Sequence, residues 1–280
     1  MKRKTPKADK SPVALITGAS SGIGEAIAIA LQQKGYVVYT GARRIERMEH
    51  LKALDIQPVR LDVSDDSLMR SVVQRVKKEY GTIDVLVNSA GYGLYGAIED
   101  IPMEDAHKQI EVNLFGLARM TQLVLPLMRE QHGGKIINIT SVGGKITTPF
   151  GGWYHASKFA VEGFSDSLRN EVKQFGVDVI IIEPGGVRTE GCDIAMDSLL
   201  KNTSDSVYES LAEKTLNLYA GIINRKLEPS VVGKRVARIL SAKKLKPRYT
   251  IGHLGLVVFM RRFVSDRMYD RIMMAILKSS

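Results

Sequence analysis

Three side chains in one short stretch have the types and spacing to move a proton to or from an oxygen: Ser141, Tyr154 and Lys158. Tyr154 and Lys158 stand four apart in a segment that reads as helix, so they share one face, one turn apart. An ammonium beside a phenol favours the phenolate, and the expectation is a tyrosine pKa below its ordinary value of about 10. Such a phenol can give and take a proton near neutral pH. Ser141 follows the β-branched run Ile136, Ile137, Ile139, which has strand length and composition. The Gly-rich turn between them (Gly143, Gly144, Gly151, Gly152) lets strand end and helix start face each other across one substrate oxygen. A Tyr and a Lys four apart more often mark a solvated or half-buried helix face, so context has to decide.

The elements that must position these groups begin at the amino terminus. Val13 to Thr17 reads as an apolar strand, Gly18-Ala19-Ser20-Ser21-Gly22-Ile23-Gly24 as a turn, and Ile23, Ile27, Ala30 and Leu31 recur with helical period. Strand, glycine turn and helix form the context of a dinucleotide cradle, in which the backbone approaches a pyrophosphate and the helix amino terminus attracts it. A second strand, Tyr36 to Thr40, leads to Gly41-Ala42-Arg43-Arg44. An acid near this point would hold a ribose 2′-hydroxyl, whereas an arginine accommodates a 2′-phosphate. Ala42 takes the acid's place, which predicts NADP(H), with Arg43 as the main phosphate contact and Arg44 in support; a solvated basic loop with Arg47 is the alternative. Further strands are read at Val59 to Leu61, Ile83 to Val87 and Val177 to Ile182. Helices are read at Leu68 to Tyr80 behind a capping Asp65, Glu104 to Met128, and Tyr154 to about Gln174. Alternation of this kind predicts an α/β doubly wound parallel sheet, the Rossmann fold, as a single domain with a C-terminal helical extension. Its boundaries are a basic tail over 1–11, the domain over 12–250 with a substrate lid at about 190–215, and a basic amphipathic extension over 251–280.

The motifs, in their order, resemble the short-chain dehydrogenase/reductase family over about two-thirds of the chain. They are the TGASSGIG string with its G-x-x-x-G-x-G spacing, Asn88-Ser89-Ala90-Gly91 where the family has Asn-Asn-Ala-Gly, and Asn113 within Glu-Val-Asn-Leu-Phe-Gly. Ser141, Tyr154-x-x-x-Lys158 and the Pro184-Gly185 turn complete the set. The resemblance implies that Gly18, Ser20, Ser21, Gly22, Ile23 and Gly24 hold the pyrophosphate side of the cofactor, and that Asp62 and Val63 meet the adenine edge. It also puts Asn88, Ala90 and Gly91 along the cofactor, and Pro184, Gly185, Val187 and Thr189 at the nicotinamide. Tyr154 would pass the proton, Lys158 would lower its pKa and bond the nicotinamide ribose, and Ser141 would polarise the carbonyl. Asn113 would support the relay from the lysine to solvent. Asp62 also reads as a turn former and Asn113 as a cap or interhelix hydrogen bond. Leu94, Tyr95, Phe150, Trp153 and the lid residues Met196, Leu199, Leu200 and Leu211 suggest an apolar pocket. Pro149-Phe150 with the extended carboxyl terminus is similar to the hydroxysteroid- and retinol-dehydrogenase-like branch. The expected activity is therefore NADP(H)-dependent interconversion of a lipophilic secondary alcohol and its ketone or aldehyde. The rival reading is a non-catalytic NADP(H)-binding sensor or scaffold.

Composition narrows the classes. A chain of 280 residues with 44% hydrophobic content can bury one substantial core. The single cysteine, Cys192, excludes an intrachain disulfide, and no Cys/His cluster has zinc spacing, so no metal is expected. The basic amino terminus leads into a strand and not into a signal-peptide core, which points to a cytoplasmic protein. The net charge of +10 is uneven: residues 1–10 carry five Lys/Arg against one acid, 225–280 fourteen against three, and 11–224 twenty-one against twenty-six. No nucleic-acid motif accompanies the basic ends. Met260, Val264, Met268, Ile272 and Ile276 recur every four residues within one helix read over Val257 to Lys278, with Arg261, Arg262, Arg267 and Arg271 largely off that stripe. This helix can lie peripherally on an anionic membrane or pack on its own core or a partner subunit. Phe159, Val161, Phe164, Leu168 and Val172 belong to the core or to a subunit interface, consistent with a homo-oligomer acting on a small-molecule carbonyl or alcohol.

Overall fold

In a strand, successive side chains point to opposite faces, and in this protein both faces are covered. Val13 and Leu15 pack to one side of the sheet, Ala14 and Ile16 to the other. That double burial is why β1 (Val13–Thr17) is apolar throughout. The computed structural model describes residues 11–223 and 227–279; the basic tail expected over 1–11 thus falls, up to residue 10, outside the described residues.

After β1 come α1 (Gly22–Gln32), β2 (Val37–Ala42), a 3-10 stretch (Ile45–Leu54), β3 (Ile56–Arg60), α2 (Asp66–Tyr80) and β4 (Val85–Asn88). α3 (Met103–Ile110) passes through a π-helical turn (Glu111–Gly116) into α4 (Leu117–Glu130), followed by β5 (Gly134–Ile139), α5 (Gly152–Val172) and β6 (Val177–Gly185). The chain then adds α6 (Glu190–Thr203), α7 (Glu209–Ile223), α8 (Pro229–Leu240), β7 (Arg248–Gly252), α9 (Gly255–Arg261) and α10 (Asp266–Ser279). The seven strands pair in parallel in the order β3-β2-β1-β4-β5-β6-β7. The chain moves outward from β1 to β3, then returns to lay β4 beside β1, and the carboxyl ends of β1 and β4 frame the crevice where such sheets bind ligands. α1 and α8 cover one face through Ile27, Leu31, Val232 and Val236. α2, α4 and α5 cover the other through Val72, Val76, Val124, Met128, Leu168 and Val172. The architecture is the doubly wound Rossmann fold.

Several boundaries differ from the sequence reading for physical reasons. β3 starts at Ile56 and runs through Pro58, which an edge strand tolerates because one row of its N–H groups needs no partner. β7 has no clear strand signal in the sequence, because Pro247 precedes it and, as the other edge, it is mostly half-exposed. The helix expected over Val257 to Lys278 is two helices. Arg261 Nη1 donates to the Val264 carbonyl at 2.9 Å and its Nη2 to Asp266 at 2.6 Å, closing α9 and opening α10 on one side chain. The row that packs inward on α10 is Tyr269, Met273 and Leu277; Met268, Ile272 and Met260 of the expected stripe are exposed. On α5, Val161, Leu168 and Val172 are core, while Phe159 is exposed.

Candidate active site

Ser141 lies just past β5 in extended backbone, where its Oγ accepts from the Gly143 N–H at 3.0 Å and starts a single 3-10 turn, Val142–Gly144. Tyr154 and Lys158 occupy the first two turns of α5. The Ser141 hydroxyl faces the Tyr154 phenol closely enough to favour its charged form. Lys158 Nζ, buried behind them, donates to the Ile139 carbonyl at 3.1 Å and lies 5.9 Å from the centroid of the Tyr154 ring. The three groups converge across the turn.

Their electrostatics depart from the expectation that the lysine lowers the tyrosine pKa. Burial pushes the Tyr154 phenol up to about 12, only partly opposed by the Ser141 hydroxyl. Burial likewise draws the Lys158 ammonium down to about 8, with the Glu162 charge pulling it back up. Both charged forms lose water, and the ammonium is spent on a backbone carbonyl, so desolvation outweighs their mutual attraction. Tyr154 is therefore a neutral phenol across the neutral range, ready to donate.

Glu162, one turn beyond Lys158, is buried. It accepts from Thr140 Oγ1 at 2.7 Å and pairs with Lys145 at 2.7 Å and Arg248 at 2.8 Å. His155 steadies the turn: the Thr148 N–H donates to its Nε2 at 3.0 Å, which leaves Nδ1–H to donate to the Gly143 carbonyl at 2.9 Å. Burial lowers its pKa, so it stays in this neutral tautomer. Asn113 sits buried in the π-helical turn and clasps Tyr92. Its Oδ1 accepts from the Tyr92 N–H at 3.1 Å, and its Nδ2 donates to the Tyr92 carbonyl and to Ser157 Oγ, each at 3.0 Å. A Cβ on Gly91 would lie 3.0 Å from Asn113 Oδ1 and 3.5 Å from Lys158 Nζ, so the Gly91 turn, Asn113 and Lys158 form one packed unit.

On the cofactor side, Gly18 has φ +67°, and a Cβ there would stand 2.5 Å from Ala90 Cα; one on Gly24 would stand 2.4 Å from the Gly18 carbonyl oxygen. Only glycine allows the β1 and β4 turns to meet over the start of α1, which leaves a backbone-lined cradle at a helix amino terminus. Thr17 Oγ1 joins the turns by accepting from the Ser89 and Ala90 N–H groups, each at 3.1 Å. Ser20 and Ser21 edge the cradle half-buried, and Gly22 and Ile23 open α1. A Cβ on Gly22 would reach Thr189 Cγ2 at 3.2 Å, so the turn after β6 closes over the same cradle. Pro184 and Gly185 end β6, and Val187 is buried in a bridge to Leu227. Asp62 accepts from Ser64 N–H and Oγ at 3.0 and 2.6 Å as a turn former, and Val63 packs under Gly116. Asn88 is turned inward, donating to Thr121 and Asn138 at 3.1 and 2.9 Å, so its amide ties β4 to β5. Arg43 is exposed just beyond β2 and makes no ion pair among the described residues. Arg44 and Arg47 instead reach Glu190, at 3.8 and 2.9 Å, and Ser21 Oγ donates to the same carboxylate at 3.2 Å.

The short chain dehydrogenase family pattern matches residues 12–196. The chain belongs to the short-chain dehydrogenase/reductase family. It is 36% identical over 261 residues to the probable short-chain type dehydrogenase/reductase VdlC of Helicobacter pylori, covering 93% of this chain and 96% of that one. It is 35% identical over 248 residues to the 3-ketodihydrosphingosine reductase of Bacteroides thetaiotaomicron, covering 88% and 90%. Among solved structures it resembles an actinorhodin polyketide ketoreductase determined with NADPH, at TM-score 0.74 and 32% identity over 87% of this chain and 97% of that one.

As a short-chain dehydrogenase/reductase, the protein is an oxidoreductase. Here α6 and α7 close over Tyr154. Tyr95, Phe150, Ala195, Leu199 and Ala212 form an apolar cluster against it, and an open hollow of about 430 Å³ runs on past Ile98, Pro149, Phe150, Tyr208 and Leu211. Leu94 and Trp153 were expected in the same pocket but pack separately with Ile101 and Ala106. Tyr219 of α7 stacks edge-on to Tyr95 at 5.8 Å and hydrogen-bonds Thr148 at 2.6 Å. Glu190, His155, Glu162 and Tyr219 had no signal in the sequence: an acid opening a helix reads as a dipole complement, and the others as packing.

Proposed function

We propose that this short-chain dehydrogenase/reductase uses NADPH to reduce the ketone of a lipophilic substrate, with Tyr154 as the proton donor. The observation that carries the reading is the convergence of Ser141, Tyr154 and Lys158 beneath the apolar cluster of Tyr95, Phe150, Ala195, Leu199 and Ala212. The Gly18–Gly24 cradle and the unpaired Arg43 fit a dinucleotide with a 2′-phosphate. Bound there, NADPH would supply the hydride. A carbonyl oxygen beside Ser141 and Tyr154 accepts from both hydroxyls, and the phenol proton passes to it as negative charge develops. Lys158 stabilises the phenolate left behind, Glu162 favours the charged ammonium, and Asn113 with Tyr92 and Ser157 holds the lysine's surroundings in place. Val187 and Thr189 wall the nicotinamide end, and Asp62 with Val63 the adenine end. With its pKa pushed up by burial, Tyr154 holds its proton at neutral pH, the form from which a carbonyl reduction starts.

The relative named for 3-ketodihydrosphingosine suggests the substrate class: a ketone near the end of a long saturated chain, whose tail the hollow between Ile98, Phe150 and Leu211 suits. Phe115 and Phe159, exposed on neighbouring helices, fit a homo-oligomeric face. The test follows loss of NADPH absorbance with 3-ketodihydrosphingosine and with shorter aliphatic, aromatic, steroid and retinoid carbonyls. The expected result is turnover that rises with apolar chain length. Tyr154→Phe should lower kcat by about 10²- to 10⁴-fold while NADPH still binds. Arg43→Asp should move the preference towards NADH. A Tyr154→Phe enzyme with unchanged kcat would remove Tyr154 from the chemistry, whereas NADPH binding without turnover of any of these carbonyls by the wild type would leave the cofactor-sensor reading.

A further inference from the structure

α9 and α10 expose more apolar surface than their own packing consumes. Inward, Val258 of α9 and half-buried Tyr269 of α10 pack on Val142 and Ile146 of the turn after Ser141, while further along α10, which lies against α7, Leu277 is buried and Met273 half-buried. Outward, Leu256 and Phe263 are each 71% exposed, Met268 54%, Phe259 53%, Met260 49% and Ile272 42%. Scattered exposed apolar residues need no explanation, but a run of this density on two consecutive helices does. On α10, at 100° per residue, Met268 and Ile272 lie between the packed row Tyr269, Met273, Leu277 and a cationic row Arg267, Arg271, Lys278.

We propose that this α9–α10 face docks the protein on an anionic lipid surface. An interfacial helix needs an apolar row to enter the acyl boundary and a basic row beside it at the level of the phosphates. Both rows are present here. The segment from Gly255 to Ser279 carries five Arg/Lys against two Asp, and Asp266 is already held by Arg261 at 2.6 Å. Among the described residues, Arg262, Arg267, Arg271 and Lys278 make no ion pair. A second copy on this face would set arginine row against arginine row with Asp270 as the one acid to offset them, whereas a phosphate surface neutralises all of them. Among the described residues no helix is long and apolar enough to cross a bilayer, so the pair lies on the surface and does not span it.

The face is also joined to the catalytic end. The Tyr269 hydroxyl donates to the Thr147 carbonyl at 2.6 Å, the neighbouring Thr148 meets Tyr219, and Tyr219, Tyr95 and Tyr154 follow at ring separations of 5.8 and 5.7 Å. Docking in this orientation brings the lid within a few side chains of the acyl layer, where a lipophilic ketone dissolves.

The experiment is co-sedimentation of the full chain with vesicles of phosphatidylcholine alone and of phosphatidylcholine mixed with phosphatidylglycerol, at low and high salt. Binding is expected only to the mixed vesicles and should weaken with salt. Each arginine near such a surface is worth about fivefold in partition, so Arg262→Gln/Arg267→Gln/Arg271→Gln should bind about 100-fold more weakly. Leu256→Ser/Phe259→Ser/Phe263→Ser should also release the protein. All variants should keep the wild-type turnover of a water-soluble ketone measured without vesicles. That control shows that they fold and separates failure here from failure of the proposed reduction. Absence of binding to the mixed vesicles, or full binding by the arginine variant, overturns the proposal. So does a dimer in light scattering that the apolar variant dissociates while vesicles capture nothing, a result that would assign the face to a second copy.

Discussion

Lys158 shows how burial and one neighbouring charge would set the working range of the proposed proton relay. Its ammonium is drawn down to about 8 by desolvation, and Glu162 raises it from where burial alone would put it. Tyr154, pushed up to about 12, stays protonated throughout that range. For carbonyl reduction the expected outcome is a kcat/KM that is level near neutral pH and falls as pH rises through about 8, where the stabilising ammonium is lost. Removing the charge in Glu162→Gln withdraws the term that favours the ammonium, so the falling limb should move to lower pH. A pH profile of NADPH-dependent reduction measures both, and a limb that stays in place in the variant would show that Glu162 acts on structure alone.

At the scale of elements, the start of α6 leans on the cofactor groove. Glu190 joins Ser21 of the glycine turn to Arg44 and Arg47 beyond β2, so a lid carboxylate holds the guanidinium groups that a phosphate would use. Arg47 lowers the Glu190 pKa, so the carboxylate is charged at neutral pH. It would compete with and repel an incoming phosphate at the proposed NADPH site. Glu190→Gln should tighten NADPH binding by about three- to fivefold, the scale of one half-exposed ion pair, and calorimetric titration would read it. Unchanged affinity would mean that the carboxylate merely latches α6. The same crevice depends on backbone contact between neighbouring turns at Gly18 and Ala90, which is why the glycine spacing could be read without coordinates.

In the whole molecule, the edge strand β7 and the α9–α10 extension are fastened through Arg248. Its guanidinium pairs with Glu162 and Asp166 of α5 at 2.8 and 2.6 Å and approaches Glu183 of β6 at 3.4 Å. Glu162 and Glu183 are buried, so removing the cation strands two carboxylates away from water. Arg248→Met should lower unfolding stability by about 2–4 kcal/mol, read as a lower midpoint in urea at unchanged slope. A loss of only a few tenths would mean that Lys145 and Thr250 satisfy the two acids unaided.

The sequence by itself determined the strand and helix order through the first six strands and the glycine turn, and it proposed the Ser141, Tyr154, Lys158 set, which the fold brings together. Each of these rests on local spacing: period two or 3.6 for the elements, a fixed glycine pattern for a tight turn, and four residues for one helical turn. Tertiary structure alone decided how charged Tyr154 and Lys158 are, because desolvation depends on what the cluster of Tyr95 and Phe150 and the π-helical turn place around them. It also decided that Asn88 faces inward, that Trp153 packs apart from Phe150, that Glu190 joins distant segments, and that the fourfold stripe near the carboxyl terminus faces outward. A helix with two adjacent apolar rows offers either one for packing, and the choice lies with what it meets: α7 along its length, and Val142 and Ile146 at Tyr269, more than a hundred residues away in the chain.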